Sequence, residues 1–118
     1  IVWDDFCTGA RYFTGLTDTG SDPLSSIGER LLNRVVCPAK HTDLDGRARH
    51  IIQLAEEKNA QGVIFLLPKF CDPHAFDYPY LKERLEKSGI PLMHVEVDDS
   101  LPAEGQLKTR FESFLEML

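Results

Sequence analysis

The run Gly62-Val63-Ile64-Phe65-Leu66-Leu67 constrains this chain more than any other stretch. It offers water no polar side chain and is far too short to cross a bilayer. Such a short apolar run has the pattern of a strand buried on both faces of a parallel sheet. A parallel neighbour needs a crossover, and the sequence supplies one. Residues 76–89, FDYPYLKERLEKSG, read as a helix whose Gly89 takes the left-handed terminal position. Residues 90–97, IPLMHVEV, then read as the next strand, partly alternating.

The same logic extends outward. Residues 1–5 read as a short buried strand ending in Asp4 and Asp5, and residues 6–20, rich in Thr, Gly and Asp, read as a loop. In residues 21–35, Asp22 is placed as the N-cap and Pro23 as the first helical residue. Leu24, Ile27, Leu31 and Val35 follow at helical spacing. The residue before Pro38 disfavours helical angles, which ends that helix. A second helix starts near Asp43, with Leu44, Ala48, Ile51 and Ala55 on one face and Glu56, Glu57 and Lys58 toward solvent. Leu107, Phe111, Phe114, Leu115 and Leu118 form the apolar stripe of a last helix. The predicted order is strand-helix-helix-strand-helix-strand-helix. This is an α/β chain, with a parallel sheet, right-handed crossovers and helices on both faces.

The chain has 118 residues, enough for a single domain with one core, and carries a net charge of −6. That charge excludes a nucleic-acid surface, which needs a basic stripe. No stretch is long and apolar enough to predict a membrane span, and no signal-peptide pattern is present. The chain opens on a strand-like run without Met, which reads as a lobe of a longer polypeptide. Its three cysteines, Cys7, Cys37 and Cys71, are odd in number and widely spaced. They make a poor disulfide framework and lack zinc-site spacing, so a reducing, cytoplasmic setting is expected.

In sheets of this kind, ligands gather beyond the carboxyl ends of the strands. Three loops are expected there, and they carry Asp4, Asp5, Cys7, Arg11, Lys69, Cys71, Asp72, His74, Asp98 and Asp99. A cysteine just past a strand is either a small packed thiol or a ligand, and the pattern alone leaves Cys71 and Cys7 between the two. Cys37, between a helix and Pro38, fits packing or loop structure. His94, inside a strand, fits the core or a sheet face. The acidic pairs fit helix caps and solvated turns.

Four stretches resemble the 2-hydroxyacyl-CoA dehydratases and the related benzoyl-CoA reductase subunits: DDFCTGARYF, DPLSSIGERLLNRVVCPAKH, GVIFLLPKFCDPHAFDYPYLKERLEKSGIPLMHVEVD and GQLKTRFESFLEML. Taken in order, they cover nearly the whole chain and are similar to the C-terminal part of a longer subunit. The resemblance implies a Rossmann-like three-layer lobe and, in the whole subunit, a 4Fe–4S cluster between two such lobes. It implies that Cys71 in the KFC stretch is this lobe's iron ligand, with the other cysteines in another lobe. Cys7 and Cys37 are not given that role. The implied reaction removes water from an (R)-2-hydroxyacyl-CoA through a ketyl radical, after one-electron activation by an ATP-dependent iron–sulfur protein. The implied partners are that activator, a second homologous subunit and the acyl-CoA substrate.

Beside the cluster ligand, Arg11, Lys69, Gln106 and Arg110 are candidates for balancing substrate or cluster charge, with surface ion pairs as the plain alternative. One cysteine cannot hold a cubane, so the chain alone is expected to bind no cluster and to be inactive. Benzoyl-CoA reductase or double-cubane cluster chemistry is the alternative within the family. A receiver-type signalling domain is a remote alternative, since Cys71 stands where an acceptor aspartate is wanted. A purely structural module would use helix faces such as that of Phe111 and Phe114.

Overall fold

The two apolar runs form strands and pair in parallel, as their pattern predicts. The structure, a computed structural model, describes residues 1–34, 37, 43–98 and 104–118. In chain order the elements are α1 (Ala10–Phe13), α2 (Pro23–Leu32), α3 (Leu44–Glu57), β1 (Val63–Pro68), α4 (Asp72–Lys87), β2 (Leu92–Val97) and α5 (Glu104–Leu115). Among the described residues the sheet has two strands, β1 beside β2, with Val63 opposite Leu92 and Pro68 opposite Val97.

Period-two alternation divides this sheet between two cores. On one face Phe65 joins Ala48 of α3 and Leu81 of α4, with Ile51, Leu67, Tyr78 and Leu92 packed around them. On the other face Met93 and Val95 join Phe114 of α5, with Leu66, Val97, Leu107 and Phe111 around them. The sheet therefore has α3 and α4 on one face and α5 on the other. Phe114 is 5% exposed, so the Phe111–Phe114 face of α5 is spent on this chain's own sheet.

The local signals for helix ends hold. The Asp22 carboxylate accepts from Ser25 N and caps α2, with Pro23 in the first turn. The end of α4 is a Schellman motif: Gly89 has φ +71, its N–H donates to Glu86 O, and Ile90 N–H donates to Leu85 O.

Several expectations are corrected. Residues 1–5 form no strand. Asp4 Oδ1 instead accepts from Phe6 N at 3.0 Å and Ala10 N at 2.9 Å, so the carboxylate folds the chain into a turn that leads to α1. An aspartate that satisfies neighbouring backbone donors competes with a sheet ladder. Helix α4 starts at Asp72 rather than at residue 76, because Pro73 suits a first turn. Strand β1 is not buried on both faces along its length, since Ile64 is 41% exposed. The stripe of α2 forms, but Leu24, Ile27 and Leu31 lie exposed. Leu115 and Leu118 fall off the buried stripe of α5 and are also exposed. Val35, Pro38, Asp99 and the side chain of Leu44 lie outside the described residues.

Candidate functional site at the carboxyl end of the sheet

The chain leaves β1 at Pro68 through a tight turn. Lys69 N donates to Val97 O at 2.8 Å, continuing the ladder by one residue, and Cys71 N donates back to Pro68 O at 3.1 Å. Phe70, between them, has φ +64. Cys71 is the N-cap of α4, and its carbonyl accepts from Ala75 N at 3.0 Å. Its side chain makes no capping hydrogen bond. The thiol is thus half-buried, uncommitted to the cap and placed at a helix N-terminus, where unpaired N–H groups favour negative charge.

Lys69 Nζ reaches Asp98 Oδ2 at 2.6 Å and so links the chain just past β1 to the chain just past β2. The hydrogen bond to Asp98, then its charge, holds the Lys69 ammonium above the ordinary lysine range.

A second cluster gathers the N-terminal loop. Arg11 grips Asp5 with two bonds, Nε to Oδ1 at 2.8 Å and Nη2 to Oδ2 at 2.9 Å. Arg47 of α3 places Nη1 3.0 Å from Asp5 Oδ2, close but without hydrogen-bond geometry. Its Nε donates to Asp77 Oδ2 of α4 at 2.5 Å. Charges alternate along the series Arg11, Asp5, Arg47, Asp77, and all but Asp5 are buried. Arg11 also points Nη1 toward Cys7 Sγ at 3.7 Å, and its carbonyl accepts from Arg34. This tetrad fastens the loop bearing Cys7 to both α3 and α4.

His74, in the first turns of α4, senses the tetrad. Burial, then the charges of Arg47 and Arg11, push its imidazole below the usual 6.5, against weaker pulls from Asp77 and Asp5. Its Nδ1 is buried without a hydrogen-bond partner, and its ring meets Phe65 edge-on at 5.9 Å. A neutral imidazole is what this packing suits. His94, half-buried in β2, stacks on Tyr78 at 4.5 Å, which places it on a sheet face.

The candidates therefore divide. Lys69 and Asp98 pair just past the two strands, where the turn that carries Cys71 also lies, while Arg11 binds Asp5 and reaches Cys7. Arg110 Nη2 donates to the strand carbonyl of His94 at 2.6 Å, which makes it a brace between α5 and β2. Gln106 is exposed in the first turn of α5, and Thr109 Oγ1 bonds back to Gly105 O within that helix. Cys37 is half-buried. Among the described residues no three His, Cys, Asp or Glu side chains come close enough to hold a metal ion. Sequence reasoning missed Arg47 and Asp77. Their signal was present: Arg47 stands four residues before Ile51 and Asp77 four before Leu81, on faces that reach the core, and buried charges come paired.

The amino-acid sequence of the chain has relatives. The model of the family described as 2-hydroxyglutaryl-CoA dehydratase, D-component, matches residues 1–118. The chain is 34% identical over 118 residues to the (R)-phenyllactyl-CoA dehydratase beta subunit of Clostridium sporogenes, covering 100% of this chain and 31% of the relative. It is 38% identical over 72 residues to the (R)-2-hydroxyglutaryl-CoA dehydratase subunit beta of Acidaminococcus fermentans, covering 61% of this chain and 19% of the relative. It is also 28% identical over 93 residues to a benzoyl-CoA reductase subunit of Thauera aromatica, covering 77% of this chain and 24% of the relative. The chain spans a third or less of the length of these curated relatives. The chain belongs to the 2-hydroxyglutaryl-CoA dehydratase D-component family.

Proposed function

We propose that this chain is one Rossmann-like, three-layer lobe of a cytoplasmic 2-hydroxyacyl-CoA dehydratase subunit, and that Cys71 is its ligand to a 4Fe–4S cluster. The observation that carries the reading is the position of Cys71. It stands at the carboxyl end of β1 and at the N-terminus of α4, with a side chain that no cap uses. Thiolates are the usual cluster ligands, and hydrogen bonding and burial tune the cluster that they hold. The residues present fit one corner of such a site. The remaining ligands come from the rest of the longer subunit, and the chain alone is inactive.

A cluster held in part by Cys71 would supply Lewis-acid character toward a substrate oxygen. The reaction is loss of water from an (R)-2-hydroxyacyl-CoA through a ketyl radical, after an ATP-dependent iron–sulfur activator has delivered one electron. The enzyme is made whole by a second homologous subunit. Within this scheme the chain's own residues orient and balance charge. The turn and Pro73 fix where the Cys71 thiol starts, and the Lys69–Asp98 pair holds an ammonium at the same end of the sheet. The tetrad holds the Cys7 loop in place. Arg11 is committed to Asp5 and Arg110 to a backbone carbonyl, so both serve as braces, leaving Lys69, two residues before Cys71, as the candidate cation nearest it along the chain.

Benzoyl-CoA reduction is the second reading, favoured by the similarity to a benzoyl-CoA reductase subunit. The deciding experiment uses the full-length subunit with its partner and activator, reconstituted anaerobically. Turnover of 2-hydroxyacyl-CoA supports the first reading, and turnover of benzoyl-CoA the second. Cys71→Ser removes most of the iron–sulfur absorption, whereas Cys7→Ser and Cys37→Ser keep it. Full iron content in Cys71→Ser overturns the assignment.

A further inference from the structure

We infer that Phe70 is an anchor of the contact between this lobe and the remainder of the longer subunit. This rests on the reading that the chain is one lobe of such a subunit. The turn from Pro68 to Cys71 is closed by Cys71 N donating to Pro68 O at 3.1 Å, and its third residue has φ +64. That position favours glycine or asparagine, because Cβ crowds the following carbonyl there. Asn59, the other non-glycine residue with positive φ among those described, obeys the rule. Phenylalanine does not, and a bulky side chain in this region marks strain that a function maintains.

The strain is not offset within the chain. The Phe70 side chain is 99% exposed and buries nothing against the described residues. Two more aromatics, Phe76 at 69% and Tyr80 at 52%, stand exposed on α4, off the face that buries Asp77, Leu81 and Leu85. Aromatic side chains projecting from a rigid turn act as interface anchors when a partner covers them. The occupant is the rest of the subunit, for two reasons. Relatives matched along this whole chain are about three times as long, since it covers 31% of one of them. The same turn also holds Cys71, so on that reading the chain that completes the Cys71 site approaches the turn that presents Phe70.

The test uses the full-length subunit with Phe70→Trp or Phe70→Gly. The indole introduced by Phe70→Trp is expected to be quenched by acrylamide several-fold less than a free tryptophan analogue, as a difference from the parent protein, at all protein concentrations. Phe70→Gly relieves the positive-φ strain and is nonetheless expected to lower the thermal midpoint. Free quenching overturns the inference. So does protection that appears only at high concentration, which assigns the contact to a second copy, or only with the partner subunit. An unchanged or raised midpoint in Phe70→Gly overturns it as well. Neither measurement needs a cluster. Retained iron in Cys71→Ser therefore sinks the ligand assignment and the second reason with it, while quenching and midpoint still decide the contact.

Discussion

Arg47 Nε and Asp77 Oδ2 lie 2.5 Å apart, with side chains only 4% and 2% exposed. The pair joins α3 to α4 beside Ala48 and Leu81, and it extends through Asp5 to Arg11 and the loop of Cys7. Removing one partner strands the other in a site with little water. Arg47→Ala and Asp77→Ala are each expected to destabilise the chain by about 3 kcal/mol. Replacing both with apolar residues, Arg47→Met with Asp77→Leu, should recover much of that loss. Urea unfolding of the three variants checks this, and additive losses in the double variant would show that the two residues act separately.

The imidazole of His74 is held low by burial first and by Arg47 and Arg11 next, and His50 is lowered too, again with burial as the first cause. Unfolded histidine takes up its proton near 6.5, while the folded chain resists until lower pH. Between those values the unfolded state binds more protons, so stability falls as pH drops through the window. The capped carboxylates act lower. Asp22, held below 3.8 chiefly by Ser25 N–H, contributes stability that is lost only as pH falls through its folded value. His74→Gln is therefore expected to shrink the loss of stability between roughly pH 7 and roughly pH 5.5. Urea midpoints at the two values measure it, and an unchanged difference would refute it.

Gly89 has φ +71 and nothing within 4 Å of where a Cβ would sit. Gly89→Ala thus tests conformation without a clash. A loss of roughly 1 kcal/mol is expected, read from the thermal midpoint, because only the left-handed backbone is penalised.

Lys69 and Asp98 form a pair whose side chains are 49% and 30% exposed. Exposed pairs contribute little to folding. Lys69→Ala is therefore expected to leave the thermal midpoint of the chain unchanged. In the full-length enzyme it should still lower turnover if the ammonium serves the Cys71 site. Equal turnover with equal stability would reduce Lys69 to a surface residue.

Residues 62–67 announced a strand because the run is short and apolar, and the helical stretch after it supplied the crossover to a parallel neighbour at residues 90–97. Asp22-Pro23 and Gly89 announced helix ends because their backbone demands are local. The first residues misled, since Ile1-Val2-Trp3 reads as a strand but the Asp4 carboxylate bonds backbone donors up to Ala10. A strand also needs a neighbour, which no run of five residues can specify. The candidate site was half legible. A cysteine after a strand marked the edge, whereas Arg47 and Asp77 drew no notice because each is an ordinary charge until its partner is known.

Local order was thus written in the amino-acid sequence: the βαβ crossover, the caps, the helical stripes, and the similarity that places the chain in its family. Its separations along the chain could not say which charges meet. Arg11 reaches Asp5 within one loop, but Arg47 meets Asp77 only because α3 and α4 pack on the same sheet face. Folding also decided that the stripe of α5 is covered while that of α2 stays open, and that Phe70 stands out from a strained turn. The reason is that capping and periodicity act over a few neighbouring residues, whereas burial and charge pairing depend on what the fold brings from far along the chain.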